Sequence, residues 1–261
     1  SSCPAMPCVR HWIRSCGEIM SEHLLEVDDL YVEFRTRDGV AKAINGVNYT
    51  LDAGETLAVL GESGSGKTTL GRILIGLDHA TSGEVLYEGE PTRSLGRAGR
   101  RAFRQRVQMV FQNPFASLNP FRTVRSALSD GFAHRSLSRA ERDAALVSLM
   151  EQVGLNESML DRYPHEFSGG QRQRVVLARA LTVEPGVIVA DEPVSALDVS
   201  IQAQVLNLLG DLKKRLGLTL VFVTHDLRVV NFFCDRIAVM YMGRLVELGT
   251  RKQIMEASRH P

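Results

Sequence analysis

The sequence predicts an α/β fold, with a mixed sheet that has helices on both faces, an antiparallel β subdomain and a helical subdomain. Polar and apolar residues alternate between residues 24 and 51 around an Asp38-Gly39 turn, a pattern typical of antiparallel strands. The apolar run Thr56–Leu60 leads into a glycine-rich loop and then into a helical pattern. Strand and helix patterns alternate again after Arg174, which favours a parallel sheet.

The other predicted elements follow in chain order. A helix is predicted from Lys67 to about Ile75, directly after the glycine-rich loop. The stretch from about Arg93 to Leu160 is predicted to be mostly helical, apart from the strand Val107–Phe111. One of its helices begins after Ser138, because Ser138 and Glu141 have the spacing of a capping box. The later predicted elements are the strands Val187–Ala190, Leu218–Thr224 and Ile237–Tyr241 and the helices Ile201–Leu216 and Leu227–Phe233.

One domain is predicted over residues 20–261, with the helical subdomain at about residues 113–175 and a separate segment of residues 1–19 before it. The chain has 261 residues, of which 44% are hydrophobic and 23% charged, and this suffices for one large α/β domain with a subdomain. Its longest apolar runs are far shorter than the ~20 residues that a bilayer-spanning helix needs. We therefore expect that partner proteins hold the chain at any membrane where it acts.

The charge of the chain argues against a nucleic-acid partner. The net charge is +1 and the pI is about 7.7, whereas nucleic-acid binders usually have a strong basic excess. Five arginines fall between Ser94 and Arg106, with Phe103 as the aromatic residue among them. We interpret this run as a solvated helix face rather than a nucleic-acid patch, because further stacking aromatics are missing from it.

The glycine-rich loop matches the pattern G-x-x-x-x-G-K-[ST] of a phosphate-binding loop. Its glycines let backbone N–H groups turn inward around phosphate oxygens, and the following helix directs its N-terminal dipole at the anion. Lys67 supplies a positive charge for the phosphates, and Thr68 supplies a hydroxyl for Mg²⁺. The strand before the loop and the helix after it make a chance match improbable. The predicted binding residues are Gly61, Glu62, Ser63, Gly64, Ser65, Gly66, Lys67, Thr68 and Thr69.

Two adjacent carboxylates, Asp191 and Glu192, end the apolar strand Val187–Ala190. Asp191 is predicted to bind Mg²⁺, and Glu192 is predicted to polarise the attacking water. A salt-bridged surface pair is the alternative interpretation, and it would be favoured for an isolated pair. The phosphate loop elsewhere in the chain favours the catalytic interpretation.

The stretch FSGGQ at residues 167–171 adds a serine cap and two glycines at the start of a helix, which is a site suited to an anion. With the two preceding motifs it resembles the signature motif of the ABC ATPases, with Phe in place of the commoner Leu. The resemblance covers residues 24 to 261. It implies that the signature residues face the γ-phosphate of a nucleotide held by the other subunit of a dimer; they are Ser168, Gly169, Gly170 and Gln171.

Four further positions match the family pattern. Gln112 fits the Q-loop glutamine that reaches the metal and the attacking water, and Ser195–Asp198 fits the D-loop at the dimer interface. His225 fits the switch histidine that senses the γ-phosphate, although a lone histidine at a strand end is more often structural. Phe34 fits the aromatic residue that stacks on adenine, with a buried strand position as the alternative and Tyr31 nearby.

Longer strings resemble one subfamily, the oligopeptide and dipeptide importer ATPases of bacteria. They are FQNPFASLNPFRTV, RYPHEFSGGQRQRVVLARAL and DEPVSALDVSIQAQVLNLL, and Val194-Ser195 in the last string is similar to the second of the two ATPase subunits in such systems. The alternatives are the same ATPase serving nickel or glutathione import and, less favoured, an ABC ATPase without a transport role.

The resemblance also implies cofactors, partners and a location. The cofactors are ATP and Mg²⁺. The partners are a second ABC ATPase subunit or half, two transmembrane permease subunits and, indirectly, an extracytoplasmic solute-binding protein. The implied location is the cytoplasmic face of the inner membrane, with the chain as a peripheral subunit. The ATPase subunit does not touch the cargo, so the identity of the cargo stays open.

Both ends of the chain carry separate expectations. Arg259-His260-Pro261 resembles the start of the C-terminal extension of these importers, so that extension is expected to be truncated after residue 261. Residues 1–19 are an upstream extension or the remnant of a preceding segment. Metal or iron–sulfur binding by Cys3, Cys8 and Cys16 is a hypothesis that lacks an evident fourth ligand.

Overall fold

The computed structural model describes residues 23–37, 39–112 and 117–257, and these form two sheets with helices around them. The first sheet is antiparallel, with the strand order β2-β1-β4-β5. Its predicted hairpin is confirmed, and Phe34 on the first strand pairs with Ala41 on the second. Residue 38 of the predicted turn lies outside the described residues. The bounds are β1 (Leu25–Thr36), β2 (Gly39–Leu51), β4 (Ser82–Tyr87) and β5 (Glu90–Pro91), of which the last two were not predicted.

The second sheet is mixed, as the sequence predicted. Its strand order is β10-β9-β3-β8-β7-β6, with β10 antiparallel to β9 and the other neighbours parallel. Because the carboxyl ends of parallel strands meet at one edge, residues that follow β3, β6, β7 and β8 are brought together there. The bounds are β3 (Thr56–Gly61), β6 (Val107–Val110), β7 (Val187–Asp191), β8 (Thr219–Thr224), β9 (Arg236–Tyr241) and β10 (Arg244–Thr250).

Eight α-helices lie among the described residues. They are α1 (Lys67–Leu74), α2 (Arg97–Arg106), α3 (Val124–Ser129), α4 (Arg139–Gln152), α5 (Gly169–Leu181), α6 (Val199–Leu216), α7 (Leu227–Phe233) and α8 (Arg251–Ala257). The capping box predicted for α4 is present, because Ser138 accepts from the Glu141 N–H while the Glu141 carboxylate accepts from the Ser138 N–H. Short 3₁₀ helices cover Asp130–His134, Glu157–Met159 and Pro164–Glu166.

The helices α3 to α6 share one apolar core with the second sheet. Leu146 and Met150 of α4 and Val175 of α5 are fully buried in a cluster that extends to Phe222 of β8. A second cluster lies between the two sheets and includes Leu57 of β3. The helix-rich part is therefore packed directly on the sheet that carries the strand ends. Its bounds of about residues 113–175, and the domain bounds at 1–19 and 20–261, remain predictions.

Among the described residues, no helix is both long and apolar enough to cross a membrane. Cys234 is buried, and burial raises the pKa of its thiol to about 12, so the thiol stays protonated and unreactive. The predicted metal hypothesis for Cys3, Cys8 and Cys16, and the resemblance at residues 259–261, lie outside the described residues.

Candidate nucleotide site

The phosphate loop lies at the carboxyl edge of the second sheet, between β3 and α1. Gly64 and Gly66 have φ angles of 80° and 103°, in the left-handed region that favours glycine. Gly66 is also the N-cap of α1 and makes no side-chain cap, so the first N–H groups of this eight-residue helix face the loop without a capping side chain. The loop therefore has the backbone geometry that a phosphate requires.

Lys67 lies folded back over the loop. Its side chain is buried, and Nζ donates to the carbonyl oxygens of Gly61 at 2.7 Å and Glu62 at 2.6 Å. Burial lowers the pKa of Lys67, an effect that the carboxylates of Glu192 and Asp191 oppose. The ammonium group is thus held at the centre of the loop with acidic groups facing it.

The two carboxylates sit at the end of β7, as predicted, in different environments. Asp191 is buried, and burial raises its pKa while a hydrogen bond with Thr68 and the charge of Lys67 act in the opposite direction. Glu192 has a φ of 44°, and its N–H donates to the Val223 carbonyl of the adjacent strand β8 at 2.9 Å. The left-handed backbone at Glu192 turns the chain out of the strand and aims the two side chains differently.

Gln112 and His225 both contact the Glu192 carboxylate. Gln112 Nε2 donates to Glu192 Oε2 at 2.9 Å, and His225 Nδ1 lies 3.0 Å from Glu192 Oε1. The residues come from the ends of β6, β7 and β8, which are consecutive strands of the sheet. The sequence placed all three in one site but did not predict that the two partners would hold the carboxylate from both sides.

Three oxygen-bearing side chains of the candidate site have the chemistry that suits Mg²⁺. Thr68 contributes a hydroxyl, Gln112 an amide oxygen and Asp191 a carboxylate, which are the hard ligands that this ion prefers. No group of three or more His, Cys, Asp or Glu side chains within the described ranges could hold a metal ion. Such an incomplete set fits Mg²⁺, because that ion is usually bound by one or two carboxylates together with substrate phosphates.

The signature residues occupy the start of α5. Ser168 is the N-cap, its Oγ accepts from the Gln171 N–H at 3.3 Å, and the Gln171 side chain accepts from the Ser168 N–H at 3.0 Å. Gly169 and Gly170 pack so closely on Leu197 and Ile201 that a Cβ atom would lie 3.2 Å and 2.5 Å from those side chains. In the part of the chain that the structure describes, their hydrogen bonds stay within this helix start and do not reach the phosphate loop.

The D-loop, Ser195–Asp198, is hydrogen-bonded to Glu192 at the end of β7 and to Gln202 of α6. Ser195 Oγ donates to the Glu192 carbonyl at 3.1 Å, which links the loop to the catalytic strand end. Gln202 of α6 donates to the carbonyls of Val194 at 3.1 Å and Leu197 at 2.9 Å. Gln202 was missed in the sequence, because a polar residue in the first turns of an amphipathic helix carries no distinct signal.

Phe34 lies on β1, with 47% of its surface exposed. The alternative of a buried strand position is therefore wrong. Tyr31 is half-buried, and its hydroxyl would lie 3.0 Å from a Cβ atom at Gly46, so it packs against β2 instead. Phe34 thus presents a free aromatic face, and its contact with adenine stays a prediction.

The chain is similar to several known proteins. The pattern of a family described as ABC transporter matches residues 44–195. The oligopeptide transport ATP-binding protein OppF of Bacillus subtilis is 49% identical over 247 residues, which span 93% of this chain and 80% of that protein. The dipeptide transport ATP-binding protein DppF of Escherichia coli is 47% identical over 249 residues, which span 93% of this chain and 75% of that protein.

Solved structures are similar as well. CbiO1 of Clostridium perfringens, described as part of an ABC transporter complex, has a TM-score of 0.80 at 31% identity and covers 91% of this chain and 92% of its own. MJ0796, described as a bacterial ABC transporter cassette and solved as a dimer, has a TM-score of 0.77 at 30% identity. The match covers 87% of this chain and 98% of the MJ0796 chain. A second MJ0796 structure is described as a post-hydrolysis state bound to ADP and phosphate.

Proposed function

Because this chain belongs to the ABC transporter family and is one of its ATP-hydrolysing subunits, we propose that the work it powers is the import of peptides. Cassettes of the family act as dimers within transporter complexes that have membrane components. The proposal depends on ATP hydrolysis, and the observation that supports hydrolysis is the position of the Glu192 carboxylate. Gln112 and His225 hold this carboxylate at the edge of the sheet that also holds Lys67. The names of the two peptide-transport relatives supply the cargo class.

The site residues have separate tasks in this proposal. The phosphate-loop N–H groups and Lys67 bind the phosphates of ATP, and Phe34 stacks on the adenine ring. Thr68, Gln112 and Asp191 are the proposed ligands of Mg²⁺, which when bound would neutralise part of the phosphate charge. Binding thus requires Lys67 to exchange its two loop carbonyls for phosphate oxygens.

Hydrolysis is assigned to Glu192. Its carboxylate accepts a proton from the water that attacks the γ-phosphate, in the manner of a general base. Gln112 and His225 fix the two carboxylate oxygens, so that the base is already oriented before water arrives. In the ATP-bound state His225 is proposed to contact the γ-phosphate, and its contact with Glu192 supports this proposal.

The second half of the active site is proposed to come from a partner ATPase subunit. The start of α5 contributes Ser168, Gly169, Gly170 and Gln171 to the nucleotide of that partner, and the partner contributes the equivalent residues here. ATP then lies between the two subunits and holds them together through its phosphates. Hydrolysis and phosphate loss weaken this contact, and the subunits separate.

The contact with the permease subunits is proposed at residues 122–131, which follow the Q-loop. Arg122 donates to Asp130 at 2.6 Å and to the Ser126 carbonyl at 3.0 Å, which ties the two ends of this segment together. A cleft of about 350 Å³ lies beside it and is also lined by Arg179. A permease segment in this cleft would place the chain at the cytoplasmic face of the membrane, as a peripheral subunit, with a solute-binding protein as an indirect partner.

Reconstitution tests the proposed cargo. The chain is combined with its partner ATPase and permease subunits in vesicles, and uptake of a labelled dipeptide is measured with MgATP. ATP-dependent accumulation that Glu192→Gln abolishes is expected. Uptake of nickel or glutathione instead of peptide would overturn the cargo class and leave the ATPase assignment intact.

A further inference from the structure

A junction of three backbone segments lies beside the phosphate loop. The Gly243 N–H, in the turn between β9 and β10, donates to the Ser65 carbonyl of the loop at 3.0 Å. The Gly243 carbonyl accepts from the Asn45 N–H of β2 at 2.8 Å. One residue of the turn thus connects the phosphate loop to β2, which is the edge strand of the other sheet.

The Ala43 carbonyl of β2 is enclosed at this junction by two glycines. A Cβ atom on Gly66 would lie 2.3 Å from the Ala43 oxygen, and a Cβ atom on Gly243 would lie 2.9 Å from the same atom. Both glycines also have positive φ angles, of 103° and 76°. No side chain fits at either position unless β2 moves away from the loop.

Two further contacts make the junction stiff. A Cβ atom on Gly61, at the other end of the loop, would lie 2.3 Å from the Met240 carbonyl of β9. The Asn45 side-chain oxygen accepts from the Arg244 guanidinium at 3.1 Å and 3.0 Å, in the amide orientation that gives both groups partners. The turn is therefore fastened to the loop and to β2 by backbone and side-chain contacts.

The junction fixes a distance that a nucleotide must span. Phe34 pairs with Ala41, two residues before Ala43 on the same strand. We infer that the β9–β10 turn at Gly243 is a positioning element, which sets the spacing between the phosphate loop and the hairpin that carries Phe34. This inference rests on the nucleotide site proposed above. It predicts that the turn matters for ligands that reach both places and little for ligands that bind the loop alone.

The experiment compares the binding of ATP and of inorganic tripolyphosphate, each with Mg²⁺, to the wild-type chain and to Gly243→Ala. Wild-type binding of ATP tests the proposed function by itself, and its absence would overturn that function and this inference together. For Gly243→Ala we expect about tenfold weaker ATP binding, with tripolyphosphate affinity within about twofold of wild type. An equal loss for both ligands, or no loss for either, would overturn the positioning role.

Gly217→Ala is the matched control. Gly217 also has a positive φ, of 65°, but nothing lies within 4 Å of a Cβ atom there, and it caps α6. The two variants share the backbone strain of alanine at positive φ, so both should lower the melting temperature. Gly217→Ala should leave both ligand affinities unchanged, and selective weakening of ATP binding in this control would contradict the inference.

A second variant covers the case in which Gly243→Ala does not fold. Arg244→Ala removes only an exposed side chain and with it the contact to Asn45. We expect a loss of about threefold for ATP and none for tripolyphosphate. Unchanged ATP affinity in a folded Arg244→Ala chain, measured when Gly243→Ala is unfolded, would count against the junction as a spacing device.

Discussion

The catalytic cluster and the signature helix start differ in how complete they are within one chain. The catalytic cluster, defined as Lys67, Gln112, Asp191, Glu192 and His225, is joined by contacts between side chains from four separate segments. In the signature helix start, residues 168–171, Ser168 and Gln171 cap each other through reciprocal hydrogen bonds. The first region is assembled by the fold of one chain, whereas the second is a capped helix start with no hydrogen bond to the phosphate loop among the described residues.

The difference predicts which steps one subunit can carry out alone and which steps need its partner. We expect the phosphate loop to bind nucleotide within a single chain, because Lys67 and the loop backbone belong to one segment. Ser168 is exposed at this helix start, and within the described ranges no hydrogen bond joins residues 168–171 to the phosphate loop. Substitutions in the catalytic cluster should therefore change ATP hydrolysis or nucleotide affinity. Substitutions in the signature helix start should change the association between subunits.

The largest effect is expected for Glu192→Gln. Removal of the general base should lower kcat for ATP at least ~100-fold, while MgATP still binds. ATP turnover in the reconstituted complex and nucleotide binding to the chain measure the two quantities separately. Glu90→Gln, on the edge strand β5, is the control and should have normal kcat. Full activity of Glu192→Gln would contradict the catalytic role of Glu192.

Lys67→Ala should act on affinity rather than on chemistry. The lost ammonium makes charge-assisted hydrogen bonds with phosphates, so ATP affinity should fall about 30-fold. Calorimetric titration with ATP measures the change. Lys214→Ala, an exposed residue of α6, should bind normally. An unchanged affinity in Lys67→Ala would mean that the ammonium remains on the loop carbonyls when nucleotide binds.

Ser168→Ala tests the signature helix start against a matched helix cap. Both Ser168 and Ser138 cap a helix through a capping box, so each alanine variant should lose about 1 kcal/mol of stability. Only Ser168→Ala should weaken ATP-dependent association with the partner subunit, by about tenfold. Sedimentation of the Glu192→Gln background with ATP measures this association. Equal association in the two variants would make Ser168 a structural cap alone.

Phe34→Ala should give the smallest change. Loss of aromatic stacking on adenine is expected to weaken ATP binding about fivefold, and Phe34→Tyr should restore it. Tyr31→Phe is the control on the same strand and should bind normally. Fluorescence titration with an adenine nucleotide and with tripolyphosphate distinguishes the base from the phosphates. Equal affinities of wild type and Phe34→Ala for ATP would remove Phe34 from the site.

The sequence predicted the features of fold and site that depend on local pattern. The phosphate loop, the strand before it and the capping box at Ser138 each depend on a few adjacent residues, and the structure has all of them. The parallel sheet followed from alternating strands and helices. These features are predictable because the interactions that form them join residues only a few positions apart.

The features that the sequence did not predict depend on contacts between distant segments. The clasp of Glu192 by Gln112 and His225 joins residues 80 and 33 positions apart, which no local pattern specifies. The short strand β5 has only two residues and includes Pro91, so its propensity gave no strand signal. Gly243 carries no distinguishing local signal, because its contact with Ala43 exists only after the two sheets meet.

The capping box at Ser168 has a consequence for the speed of the cycle. The first-turn amide of Gln171 and the amide of Ser168 already have partners in the solitary chain, so this helix end keeps its shape without a nucleotide. Two such ends can then dock as preorganised surfaces, with little loss of conformational entropy at each encounter. Under the proposed cycle, in which the subunits associate and separate during turnover, this helix end does not need to refold between encounters.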